Sequence, residues 1–531
     1  MPDQYDYATH YTYDVSGNVD RVVQEYPGLA IVGKRYFTID YDYDLISGKV
    51  NTVTYQKNQQ DQFIHRYKYD ADNRITTVQT SRDGNIFYNN AGYDYYLHGP
   101  LKRVELGNGE VNENEQGTVV SWPVQGLDYA YTLQGWIKGM NSDQLDPAKD
   151  MGEDGTTTSL FPKDAFGYTV GYFDGDYTPI GGGSVDFNTP TTGMTTQPLY
   201  NGNISRVTNA LMRTDVDNTL MDVQGNAYKY DQLNRLKEKQ VYGYGDPDMD
   251  LDNEYFSLKG GYYERYSYDP NGNIDTLVRH AGVGAPTQMD SLIYTYQANT
   301  NKLTHVDDNV AFTSNHSGDI DDQAANNYEY DDDGNLTKDV AEDIDNIEWN
   351  MYGKIRTITR VADSPKADLE FCYGPDGNRL LKIVKPRDIV TGIKPVSDWI
   401  ITYYVRDAQG NIMCTYNVNK ADDDWVMKAD EFVMYGSSRL GVVKGLTDAL
   451  FTGGDVPVAY PSTDMDTTEF KDLVGLPGMP IDLSFALLKP YQLNYEISNF
   501  RGDVQSVVSA DTKTKCIDGP DTDPELNRAN A

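Results

Sequence analysis

The chain has 531 residues, 39% of them hydrophobic, and a formal net charge of −36 at pH 7; its pI is near 4.4 and its mean hydropathy −0.62. Such acidity argues against DNA or RNA phosphate as a ligand, because that needs a basic surface, and no apolar run approaches the ~18 residues of a membrane span. With 43 Tyr against 15 Phe and 5 Trp, the aromatic surface consists mostly of rings with one polar edge.

From the N-terminus to about Gly109 the pattern is strand, turn, strand. Tyr11 and Tyr13 alternate into YDVSGN at 13–18, and Val19 starts the next strand; YDADNR at 69–74 leads to Ile75 in the same way. Ser47-Gly48 and Asp83-Gly84-Asn85 add further turn signals. Period-two alternation broken by such turns predicts β-hairpins. The Gly-Asn or Asn-Arg pair supplies residues that tolerate positive φ, while the Asp side chain bonds backbone amides two or three residues on.

Between Val111 and Gln125 a polar stretch gives way to an apolar run around Trp122, and QGLDYAYTLQGWIKGM at 125–140 reads as a strand meeting a turn. Residues 141–196 read as a loop insertion, rich in Asp, Gly and Thr and then in glycines 181, 182 and 183. Strands resume at Leu199, and the turn signature returns as DVQGN (222–226), YDQLNR (230–235), YDPNGN (268–273), YDDDGN (330–335), YGPDGN (373–378) and DAQGN (407–411). Residues 447–488 lose alternation and read as a second insertion; 491–508 are strand-like again, and the acidic, aromatic-free 511–531 read as a disordered tail.

One hairpin is too small to be stable, so successive hairpins must pair edge to edge. The expected fold is all-β: YD-repeat β-hairpins over 1–510 forming a long spiralling sheet, a hollow wall rather than a thick core.

Little in the chain points to chemistry. Cys372, Cys414 and Cys516 show no paired spacing, and His10, His65, His98, His280, His305 and His316 are scattered without a His-x-x-x-His pair. Ser437 and Ser438 lie in GSSRLG, which lacks nucleophile-elbow spacing. Gly181 to Gly183 are followed by no Lys-Ser or Lys-Thr of a phosphate loop. Asp246, Asp248, Asp250 and Asp252 alternate like calcium ligands but lack the Gly and Glu of a calcium loop. Arg501-Gly502-Asp503 fits a hairpin turn better than an adhesive motif. A two-carboxylate glycosidase is disfavoured because the acids sit mostly in turns. The expectation is no catalytic residue, no cofactor, no metal and no enzyme.

The repeats, with QGLDYAYTLQGWIKGMN (125–141), DAFGYTVGYFDGDYTPI (164–180), LYNGNIS (199–205), YGSSRLG (435–441) and YEISNFRGDVQSVV (495–508), make the chain resemble the RHS (YD-repeat) proteins, and within them the Bacteroidetes type. The resemblance spans roughly residues 5–508. It implies a β-cocoon that encloses a C-terminal toxin or effector polypeptide used against competing bacteria, exported by type IX secretion components and found secreted or at the cell surface, although no signal peptide is visible. The Asp-Pro-x-Gly segment that closes many RHS cores is missing: Asp269-Pro270 belongs to a repeat and Asp523-Pro524 is followed by Glu525. Neither self-cleavage nor a toxin is carried over, and the chain reads as a partial shell or one segment of a split one. The alternative reading is a surface adhesin or carbohydrate-binding protein that stacks sugars on its Tyr and Trp rings.

Overall fold

The structure is a computed structural model that describes residues 7–107, 110–112, 123–179, 191–212, 223–244, 256–259, 261–282, 288–311, 320–421, 424–444, 451–453, 492–498 and 504–509. Among these residues there is one 20-stranded sheet, one 13-stranded sheet and a two-stranded ribbon; helix is limited to short 3-10 turns such as Pro27–Val32. The pairings are antiparallel and nearly all between chain neighbours, from Ala8–Tyr13 on Val19–Glu25 to Gln492–Ser498 on Val504–Ser509. The all-β spiralling sheet expected from the repeats is what the chain forms. It is not a closed barrel.

Every repeat but DVQGN is a hairpin with a three-residue loop and a bulge. In the first, Asp14 N donates to Asn18 O at 2.9 Å and Gly17 N to Asp14 O at 3.1 Å. Asp14 Oδ1 accepts the amides of Ser16 and Asn18, both at 2.8 Å, and Asn18 Nδ2 donates to Asp14 Oδ2 at 2.9 Å. Gly17 has φ +87° and, in the Asn-Arg variants, Asn73 and Asn234 each have φ +62°. Only the first member of the Gly-Asn or Asn-Arg pair is therefore left-handed, as a bulge after a type I turn requires. In YGPDGN the lost first Asp is replaced from within the loop: Asp376 accepts the Asn378 amide at 3.0 Å and its Nδ2 at 2.8 Å.

The same turn occurs where the signature is absent. Thr132 N donates to Trp136 O at 2.8 Å and Gly135 N to Thr132 O at 2.9 Å, so TLQGW folds as DxxGN does, with the Thr132 hydroxyl accepting the Trp136 amide at 3.2 Å. Asn350 plays the Asp role in NMYGK, accepting the amides of Tyr352 and Lys354 at 3.0 Å each. Conversely, Gln224, Gly225 and Asn226 of DVQGN lie in the strand Gln224–Tyr230, where a Cβ on Gly225 would crowd the Phe256 ring at 2.9 Å. Residues 141–164 contain no strand, but Phe166–Gly171 is one, fully buried. Of 447–488 only Phe451–Gly453 falls within the described residues, as a short strand; the tail at 511–531 lies outside them.

Tyrosine joins one hairpin to the one before. The hydroxyls of Tyr43, Tyr69 and Tyr95 donate to the carbonyls of Val19, Val50 and Ile75 at 2.8–2.9 Å. Those of Tyr230, Tyr268, Tyr296 and Tyr330 donate to Ile204, Leu236, Ile274 and Leu303 at 2.6–3.0 Å. Trp349 Nε1 continues the series to Leu336 O at 2.7 Å. The acceptor is in most cases the aliphatic residue that opens a strand just after the preceding turn. Phenylalanine would pack there but could not bond, which favours Tyr at these positions.

Candidate functional site

Two features of the wall stand out: a seam where its ends overlap, and a cleft floored by carboxylates. The seam follows from register. Tyr55 lies opposite Ile39 and Phe63, and Phe63 and Tyr67 alternate to Tyr69, so all occupy the face of the repeat tyrosines. In the later sheet Tyr403 lies opposite Tyr416 and Cys414 opposite both Val405 and Phe432. Tyr403 and Val405 alternate with Tyr404 and Arg406, which hold the repeat-tyrosine positions before Asp407. Tyr403, Tyr416 and Phe432 therefore occupy the other face.

These opposite faces meet. Tyr26 and Tyr403 pack edge to face at 5.6 Å, Phe37 and Tyr416 meet tilted at 5.2 Å, and Phe63 stacks on Phe432 at 5.1 Å between centroids. A sandwich would bring like faces together; here the tyrosine face of the first strands covers the opposite face of the last, as in a scroll. Polar bonds fix the overlap: Tyr26 OH to Tyr404 O at 2.9 Å, Gln24 Nε2 to Arg406 O at 2.7 Å, and His65 Nε2 with Val433 O at 3.0 Å. At its centre the buried Asp61 accepts Lys34 Nζ at 3.1 Å and the Tyr416 hydroxyl, which itself meets the Tyr55 hydroxyl at 2.7 Å. Burial pushes the His65 pKa down to about 4, with the bond to Val433 pulling the other way.

The second feature is a cleft of about 840 Å³ bordered by Tyr96, His98, Asp128, Tyr131, Asp150 and Tyr177. Its floor joins the strands Leu101–Leu106 and Gln125–Tyr131 to the loop at 141–164. The Arg103 guanidinium bonds Asp128 through Nη1 and Asp154 through Nη2, the latter at 2.9 and 3.0 Å. Asp150 Oδ2 accepts the amides of Gly152 and Asp154 at 3.0 and 2.9 Å. Asn141, fully buried, accepts the Asp128 amide at 2.7 Å and donates to Asp164 Oδ1 at 3.0 Å. Carboxylate oxygens of Asp128, Asp150 and Asp154 lie within 4.8 Å of one another, a group of the kind that can hold a metal ion.

Burial raises the carboxyl pKa values here. Asp128 is pushed up to about 7 against the pull of Arg103. Asp164 is raised well above the carboxylate range, by burial first and by Asp150 and Asp154 next. A Cβ at Gly126 would overlap the ends of the Asp154 and Arg103 side chains, and one at Gly152 those of Arg103 and Asp128, so either substitution would displace the ion pairs.

The residues scanned for chemistry in the sequence do not converge. His10 lies 3.6 Å from Glu25, His305 3.4 Å from Asp307, and His98 stacks on Tyr96; none joins the carboxylate group. Ser437 and Ser438 form the turn between Asp424–Tyr435 and Arg439–Lys444, where the Ser437 amide meets the Tyr93 hydroxyl at 3.4 Å. Cys414 is buried in the seam and Cys372 half-buried beside it. Residues 181–183, Asp246 to Asp252, His316, 501–503, Cys516 and Asp523-Pro524 lie outside the described residues. Sequence reasoning missed Asp128, Asp150 and Asp154; the signal that could have found them was the glycine-flanked pair Asp150 and Asp154, one loop turn apart.

Fold and seam together define a rolled antiparallel wall built from hairpin repeats. No protein-family model and no curated protein matches the sequence. Among solved structures, the chain is similar to the crystal structure of TcdB2-TccC3 without its hypervariable C-terminal region, at 14% identity and a TM-score of 0.48, over 94% of this chain and 19% of that one. It is also similar to TcdB2-TccC3 itself, at 13% identity and TM-score 0.22, and to TcdB2-TccC3-Cdc42, at 13% and 0.17, each over 95% of this chain and 30% of the other. The chain thus spans less than a third of the structures it matches.

Proposed function

We propose that the chain is wall material of an RHS-type shell that encloses a C-terminal toxin or effector polypeptide, deployed in competition between bacteria. It has no catalytic activity of its own and works outside the cell or at its surface after export by a type IX route. The observation that carries this reading is the seam, because overlap of opposite faces lets the two successive sheets roll around a space without closing as a barrel. The YD signatures and the longer RHS-like segments supply the rest. An adhesin that stacks sugars on tyrosines fits less well, since the repeat hydroxyls are used by neighbouring carbonyls.

Cryo-electron microscopy of the full chain tests the shell. A hollow, elongated envelope is expected, and a solid globule of the same mass would end the proposal. Export is tested separately by whether a secretion-machine component co-purifies from the native cells, and a failure there leaves the container reading standing.

A further inference from the structure

One edge of the first sheet carries a row of apolar side chains that the hairpins themselves do not need. Because neighbouring strands pair antiparallel, the connections after Tyr13, Tyr43, Tyr69, Tyr95, Tyr131, Gly171 and Tyr230 all fall on that edge. Val15, Leu45, Ile46, Leu97 and Leu133 stand at turn tips, each at least 97% exposed, and Tyr200 and Leu233 follow at 73% and 69%. The turn does not ask for them: YDPNGN and YDDDGN place Pro270-Asn271 and Asp332-Asp333 there and close with the same bonds, Gly272 N to Asp269 O and Gly334 N to Asp331 O at 3.1 Å. We propose that this edge is the contact between two copies of the chain, joined about a two-fold axis through the turn at 96–99.

Pitch, order and area select a second copy. Successive hairpins stand two strand spacings apart, about 9.6 Å, so the tips are separate prongs, and an edge of the same pitch meets them one for one. Turned about the fourth of its seven connections, the edge lays Leu97 against Leu97, Ala71 against Leu133, Leu45 and Ile46 against Tyr200, and Val15 against Leu233. The one tight turn without a large apolar tip thus faces a leucine, and a curved edge falls on itself under such an axis, as an isologous contact requires. A side chain of this size presents on the order of 100 Å². Seven from each copy bring about 1,400 Å², within the roughly 1,200–2,000 Å² of specific interfaces.

A lipid surface also accepts apolar prongs, but here it would have to take carboxylates with them. Asp14, Asp44, Asp70 and Asp231 open these turns, and their bonds to Asn18, Ser47, Arg74 and Arg235 hold them below the usual carboxylate range. Ionised groups are costly at membrane depth. Between two protein edges they stay in water, and salt screens their mutual repulsion.

Sedimentation velocity of the full chain tests the contact. Dimer should replace monomer between about 1 and about 100 μM, and at lower concentration when salt is raised. The double variant Leu97→Asp, Leu133→Asp should melt with the parent at low concentration, since Asp332 occupies the same place in a sister turn, and should stay monomeric throughout. A parent that stays monomeric over the whole range, or a double variant that associates as strongly as the parent, would overturn the proposal. So would a monomeric parent that sediments with phosphatidylcholine vesicles, which would give the edge to lipid. Mild oxidation, with the parent as control for its own cysteines, reads the register: Leu97→Cys should cross-link to itself, and Val15→Cys to Leu233→Cys. Val15→Cys that cross-links only to itself would refute the two-fold.

Discussion

At the scale of the residue, the repeat tyrosine is defined by its oxygen. Tyr69→Phe or Tyr296→Phe removes the donor to Val50 O or Ile274 O and keeps the ring, so each should cost about 1 kcal/mol. Urea unfolding measures it, with the exposed Tyr200→Phe as a control that should be silent; equal losses at all three positions would deny the stitch a role. Turn glycines act through backbone strain. At Gly272, φ is +95° and a Cβ would meet nothing nearer than Arg235 Nη1 at 3.8 Å, so Gly272→Val should lose roughly 1 kcal/mol or more through strain alone. A substitution at the exposed tip residue Asp332 should change little. The turn carboxyls of Asp14 and Asp331 are held below the usual range first by the Asn18 and Asn335 side chains. Their contribution is present above the unfolded carboxyl pKa and is lost as pH falls through the folded one.

At the scale of the element, the hairpins were legible in the sequence and their packing was not. Alternation such as Tyr266, Tyr268 and a turn such as YDPNGN are local signals, and each marks a real hairpin. TLQGW and NMYGK escaped notice because Thr132 and Asn350 do Asp's capping with different letters, and DVQGN misled because Gly225 is needed for close packing rather than for a turn. The seam joins partners such as Tyr55 and Tyr416, 361 residues apart, and nothing periodic connects them. The carboxylate group was hidden similarly, since Arg103, Asp128 and Asp150 come from two strands and a loop.

His65 makes the seam sensitive to pH. Its folded pKa of about 4 lies below the ordinary 6.5, so the unfolded chain takes up the proton first. Stability therefore falls as pH drops from about 6.5 to about 4 and then levels off, by an amount on the order of 3 kcal/mol. In His65→Phe, which keeps a ring beside Phe63, the loss across that window should shrink by that amount in urea midpoints. An unchanged slope would place the sensitivity elsewhere.

At the scale of the whole molecule, stability is unevenly spread. One large cluster draws on residues from Val22 to Ile497 and unites the two ends of the wall, whereas the strands Glu264–Tyr268 to Leu303–Asp308 centre on only Leu277, Leu292 and Val306. The first strands hide their tyrosine face only because the last strands lie on it. A chain ending at Trp399 lacks Tyr403, Tyr416, Phe432 and Met434, and so uncovers Val22, Ile39, Tyr55 and Phe63, which are 0–2% exposed in the intact protein. Each such side chain is worth about 1.5–3 kcal/mol when buried. The shortened chain should bind a hydrophobic dye strongly, associate, and unfold at a much lower temperature, even though the hairpin ladder up to Arg379–Lys385 loses only its last pairing, to Ile400–Arg406. The milder Phe432→Ala should lose about 3–5 kcal/mol and open the seam to protease before the middle of the wall. If the shortened chain instead stays monomeric, dye-silent and as heat-resistant as its parent, the ladder alone holds the wall and the overlap is incidental.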